Sequence, residues 1–293
     1  MLRAHRSSKE KPVKNKLTTA LLVVILLAGL SLLLYPTVSD YWNSMHASAA
    51  IASYSEKVNE LDTQKYEELL EAAREYNRDL ARHESFSELS PEQKARYESL
   101  LDIDGTGIMG YIEIPNIDLA LPIYHGTEES VLQIAAGHLE QTSLPVGGES
   151  THCVLSGHRG LPSAKLFTNL DKLVEGDTFV IRVLDEVMTY EVTQILIVEP
   201  DDTEALKIVE GEDMCTLVTC TPYGINTQRL LVIGRRTENA PDAKSIRVVS
   251  DATRIEPLIV APALALPVLL VLVAVLLLKP NGRSKESENE KNK

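Results

Sequence analysis

Apolar residues run without a charge from Leu17 to Tyr35 (LTTALLVVILLAGLSLLLY) and again from Leu258 to Leu278 (LIVAPALALPVLLVLVAVLLL). Each run matches the ~20 residues that a helix needs to cross the hydrocarbon core of a bilayer. The prolines in the second permit a kink without excluding a span. The first run exceeds the apolar core of roughly 7–15 residues of a secretory signal, and no small-x-small site lies at its end, so it reads as an uncleaved anchor. Between the runs the pattern changes twice. From Ser39 to about Leu101 apolar positions recur every three or four residues with charges between them, as in EKVNELDTQKYEELLEAAREYNRDLARHE, which predicts helices. A further helix is expected to start at Ser90 as N-cap, with Pro91 in its first turn and Glu92 and Gln93 behind it.

After the turn cluster DIDGTG (Asp102–Gly107) the period becomes two. IMGYIEIPNIDLALPIYHG, THCVLSGH, TFVIRVL, VMTYEVTQILIVEP, MCTLVTC and RLLVIGRR read as strands, punctuated by Gly, Asp and Pro turns. EESVLQIAAGHL and SAKLFTNLDKL read as short helical insertions. Seven or eight short strands with few helices predict a mainly β fold, a closed or nearly closed barrel. The expected organisation is a tail at 1–16, a span at 17–35, a helical extension at 36–107, a β-domain at 108–240, a linker at 241–257, a span at 258–278 and a tail at 279–293.

Charge orients this scheme. The two tails are basic, at net +5 and +2, which leaves about −20 of the chain's −13 on residues 36–257. The positive-inside rule then puts both termini in the cytoplasm and the β-domain outside, a two-pass protein of the cell membrane. So acidic a surface argues against a nucleic-acid partner.

The exported part holds three cysteines, so at least one is unpaired. Cys215 and Cys220 stand five apart and point to opposite faces of one strand, which forbids a bridge between them. Cys153 meets Cys215 only if their strands are neighbours, which the sequence leaves open. No C-x-x-C pair is present, and the spacing of Cys215, Cys220 and His158 does not suit a metal, so neither metal nor cofactor is expected. Cys220 ends a β-branched run, TLVTC, and Arg229 follows nine residues on. A cysteine acyl-transfer enzyme needs a thiolate, an imidazole and a donor for the oxyanion. His158, at a strand end in SGHRGLP, is the first candidate for the imidazole, with His125 and His138 as alternatives and His152 in mid-strand as a structural residue. Arg159 reads as a surface charge or ion-pair partner.

TLVTC with Arg229 in NTQRLLVIGRR, together with SGHRGLP around His158, resembles the two signature blocks of the sortases, cysteine transpeptidases of Gram-positive cell surfaces. The match extends over about residues 108–236. With two spans and a helical extension the chain looks most like class C, the pilus-polymerising sortases. The resemblance implies an eight-stranded barrel, Cys220 as nucleophile, His158 as general acid and base, and Arg229 as oxyanion or substrate-backbone donor. It further implies cleavage of an LPxTG-like sorting motif and transfer of the acyl threonine to a lysine amine of a neighbouring pilin. Attachment of surface proteins to cell-wall peptidoglycan is the alternative within the family, and a non-catalytic assembly scaffold the alternative outside it. Class C members often cover the site with a lid carrying an Asp-Pro-aromatic motif. Here the region is ARHESFSELSPEQ, without Asp-Pro, which leaves Phe86 as the candidate plug and Glu84 as the candidate carboxylate.

Overall fold

The computed structural model describes residues 13–82, 86 and 89–239. The run at 258–278, the linker, the C-terminal tail and Glu84 lie outside the described residues. The chain divides into two compact units, residues 1–38 with 255–293 and residues 39–254.

Helix α1 spans Val13–Glu60 and continues through Pro36, where the sequence had suggested that the apolar run ends and a new pattern begins at Ser39. A proline inside a helix removes one backbone donor, and such prolines are tolerated in membrane-type helices. In its first part Leu21, Leu22, Val24, Ile25, Leu32 and Leu33 are exposed. Among the described residues this helix, from Leu21, is the one long and apolar enough to cross a membrane.

In the second unit α1 ends at Glu60, Asp62 caps α2 (Thr63–Leu80), and Ser90 caps α3 (Pro91–Ser99). The Ser90 side chain accepts from Gln93 N–H, and Gln93 reaches back to Ser90 N–H, the reciprocal capping box. These helices are part of the main core. Leu70, Ala73, Tyr76, Tyr97 and Ala47 are buried in one cluster with the barrel interior. Asn77, buried, donates to Leu144 O (3.0 Å) and accepts from Leu144 N–H (2.7 Å), so an amide pairs with a backbone as a strand would.

Eight strands close a barrel in the order β1-β2-β3-β4-β7-β8-β6-β5. They are β1 (Ile108–Ile114), β2 (Leu119–His125), β3 (Ala136–His138), β4 (Thr151–Ser156), β5 (Thr178–Val183), β6 (Glu186–Val198), β7 (Asp213–Thr221) and β8 (Gln228–Thr237). β2–β3 and β4–β7 are parallel, and the other neighbours are antiparallel. Inward residues such as Ile112, Ile123, Leu155, Phe179, Ile181 and Leu217 fill the interior. A second cluster on the outer face joins Val154, Met214, Leu231 and Ile233 with Leu206.

The insertion EESVLQIAAGHL departs from the helical expectation. Only Glu129–Leu132 is helical (α4), and Ala136–His138 is strand β3, pairing with β2 and β4. Gly137 permits the close packing there, because a Cβ would stand 2.4 Å from Gly126 O and 3.0 Å from Leu132 Cδ2. SAKLFTNLDKL folds as a 3-10 segment at Leu166–Lys172.

Candidate active site

The parallel pairing of β4 with β7 brings SGHRGLP and TLVTC to the same end of the barrel. Ser156 faces Val218, Gly157 N–H donates to Val218 O (3.0 Å), and Thr219 Oγ1 donates to Gly157 O (2.7 Å). The chain leaving β4 is thus sewn to the last residues of β7, so His158 leaves β4 at the end of the barrel where β7 carries Cys220. Gly157 has to be glycine: a Cβ would lie 2.6 Å from the Phe167 ring. Phe167 in turn donates its N–H to His158 O (3.1 Å).

Across the other edge of β7, Cys220 and Arg229 are register partners on β8. Directly opposed residues on an antiparallel pair project to the same face. Cys220 is half-buried while Cys215, five residues back, is fully buried, so β7 alternates as expected. Arg229 Nη1 donates to Gln228 O (3.2 Å), a contact beside its own backbone.

Two further contacts surround the histidine. His158 Nε2 stands 3.1 Å from Glu129 Oε2 at the start of α4. The partnered Glu129 carboxyl is held below the usual carboxylate range, first by the Gln133 amide and then by His158. Arg159, whose side chain is only 9% exposed, is the ion-pair partner of the two roles expected for it, not an exposed surface charge. It pairs with Asp171, donates to Thr221 Oγ1 (3.3 Å) and lies over the Tyr223 ring at 5.8 Å. One guanidinium therefore ties the loop after His158 to the residue after Cys220. Neither Glu129 nor the partners of Arg159 were legible in the sequence, where Arg159 reads only as a surface charge or ion-pair partner.

From Arg229 a groove of about 390 Å³ runs along the outer face of the barrel, walled by Val154, Val218, Leu231, Leu206 and Phe86. Phe86 is half-buried against this outer cluster and holds a positive φ of 62°. A bulky residue adopts that region only where its surroundings impose it.

The remaining histidines of the β-domain are hydrogen-bonded within the fold, and its remaining thiols are buried. His138 is buried between Tyr97 Oη (2.9 Å from Nδ1) and Ser143 O (2.8 Å from Nε2). His125 lies between Gly107 O and Leu100 O, and His152 between Lys207 O and Thr216 Oγ1. Cys153 and Cys215 are register partners on β4 and β7, both buried and both free. Burial pushes the Cys215 thiol well above its ordinary range.

Residues 112–237 match the sortase domain model, which covers every strand after the start of β1 and both halves of the site. The structure resembles that of sortase C1 from Streptococcus agalactiae, with 50% identity and a TM-score of 0.64 over 66% of this chain and all of that one. The chain belongs to the sortase family. A second solved relative is Clostridium perfringens sortase C, captured with the C-terminal cell wall sorting motif (44% identity, TM-score 0.58, 65% of this chain and 99% of that one). Among characterised sequences, sortase D of Bacillus subtilis is 32% identical over 130 residues, 43% of this chain. This sortase spans 63% of the length of that relative. Its structural neighbours are class C sortases, in keeping with the helices that precede the barrel.

Proposed function

We propose that the chain is a membrane-anchored cysteine transpeptidase that joins pilin subunits. The observation that carries this reading is the convergence of three groups on one strand end: Cys220, its register partner Arg229, and His158 on the loop bonded to β7. The Cys220 thiolate attacks the threonine carbonyl of an LPxTG-like motif lying in the outer groove. The Arg229 guanidinium donates to the oxyanion that forms. As the threonine–glycine C–N bond breaks, His158 gives its proton to the leaving amine and a thioester remains on Cys220. A lysine amine of a neighbouring pilin then attacks the thioester. It loses its proton to His158, and the product is an isopeptide bond with the thiolate restored.

The groove's apolar walls suit the leucine and proline of such a motif, and the Clostridium perfringens relative was captured with a sorting motif. Phe86, on the groove wall without the Asp-Pro of other lids, acts as a plug that a substrate displaces. The exposed apolar part of α1 is the anchor, and the acidic β-domain works outside the membrane. The test is incubation of the full-length chain with sorting peptides, followed by intact-mass spectrometry. A thioester on Cys220, absent from Cys220→Ala, is the expected result. A peptide that is cleaved equally by Cys220→Ala would overturn the reading.

A further inference from the structure

We infer that Glu129 is the positioning residue of His158, the third member of a thiol–imidazole–carboxylate array; the inference rests on the reading of Cys220 and His158 given above. The carboxylate stands on a fixed base. Helix α4 carries it, and Leu132 of that helix packs over the bare backbone of Gly137, where no side chain would fit. Its two oxygens are divided between partners: Gln133 Nε2 donates to Oε1 at 2.5 Å, and Oε2 faces His158 Nε2 at 3.1 Å. A carboxylate can only accept, so the imidazole carries its Nε2 proton toward Glu129. Among the described residues Nδ1 of His158 has no hydrogen-bond partner, which leaves that nitrogen to exchange the proton with Cys220 and the substrate amines. Orientation of a catalytic imidazole through its far nitrogen is the role a carboxylate plays in hydrolase triads generally.

The neighbouring Glu128 provides a control. Its carboxylate belongs to Lys94 (3.8 Å) and makes no contact with His158. The experiment is single-turnover thioester formation and steady-state transfer by the full-length chain with an LPxTG peptide. Glu129→Ala is expected to lower the acylation rate and kcat about 10-fold, a fraction of what general acid–base catalysis supplies, with KM within about twofold. Glu129→Gln keeps an oxygen acceptor for the same N–H and is expected to recover most of that loss. Glu128→Ala is expected to leave both parameters unchanged. Wild-type kinetics in Glu129→Ala, or a rise in KM alone, would overturn the inference while leaving Cys220 as nucleophile. Failure of Glu129→Gln to recover activity would also overturn it. A wild-type chain that forms no thioester at all would take down the functional reading and this inference together.

Discussion

Cys220 and Arg229 face each other directly across the β7–β8 ladder, a fixed relationship set by backbone register rather than by any side-chain bond between them. Register fixes the face on which Arg229 leaves β8, the same face as Cys220, and the proposed donor role follows from that placement.

Arg229→Ala is therefore expected to lower kcat by about 100-fold, the scale of losing one oxyanion donor. The fold should be unaffected, because among the described residues the side chain's bonds run to Gln228 O and Asn226 O nearby. Arg229→Lys should recover little, since a point charge does not reproduce the planar fork. Peptide-transfer kinetics with a parallel circular dichroism melt separate the two effects.

Phe86→Ala is expected to speed alkylation of Cys220 by a small thiol reagent severalfold. The ring lies on the groove wall and is held in a backbone conformation that only its packing sustains. An unchanged rate would reduce Phe86 to a packing residue of the outer cluster.

Asp171→Asn probes the Arg159 ion pair. It leaves the 91%-buried Arg159 side chain without a counter-charge, while Asp171 itself is 44% exposed, which moderates the loss through solvent screening. The expected cost is about 1–2 kcal/mol, read as a fall in Tm of roughly 3–6 °C. Transfer activity should fall further than stability alone explains, because Arg159 also holds Thr221 beside Cys220, the proposed nucleophile.

Acid should destabilise the barrel before carboxylates titrate. Burial depresses the folded-state pKa of both His125 and His152. Each therefore binds its proton more readily in the unfolded chain, so stability is complete above the ordinary histidine value near 6.5 and declines as pH falls below it. Melting temperatures between about pH 7.5 and 5 should show this slope, and His152→Gln should flatten it. A slope unchanged in that variant would assign the effect to other groups.

Much of the barrel was legible because its rule is local. Alternation marked the strands, and the Ser90 cap with Gln93 marked α3 in advance. β3 was missed because three residues, Ala136, Gly137 and His138, are too few to show alternation; what makes them a strand is pairing with β2 and β4, with Gly137 admitting the backbone at Gly126. The apolar run and the helical extension after it belong to one helix through Pro36, a continuity that hydropathy does not report. The site divided along the same line. Cys220 and Arg229 were found together because a hairpin keeps them close in sequence as well as in space. Glu129 and His158 lie 29 residues apart, and Arg159 and Thr221 lie 62 apart, so nothing local announces either contact.

The alternation of β7 has a practical consequence. Two of the three thiols are sealed in the core as free partners of each other's strands, and the third, Cys220, is only half-buried. The native sequence therefore carries a single addressable handle. A maleimide dye, a spin label or a disulfide-tethered peptide mimic should attach at Cys220 without any cysteine-free background. The same property makes stoichiometric labelling an assay of folding, since a second equivalent of reagent is taken up only when the barrel opens.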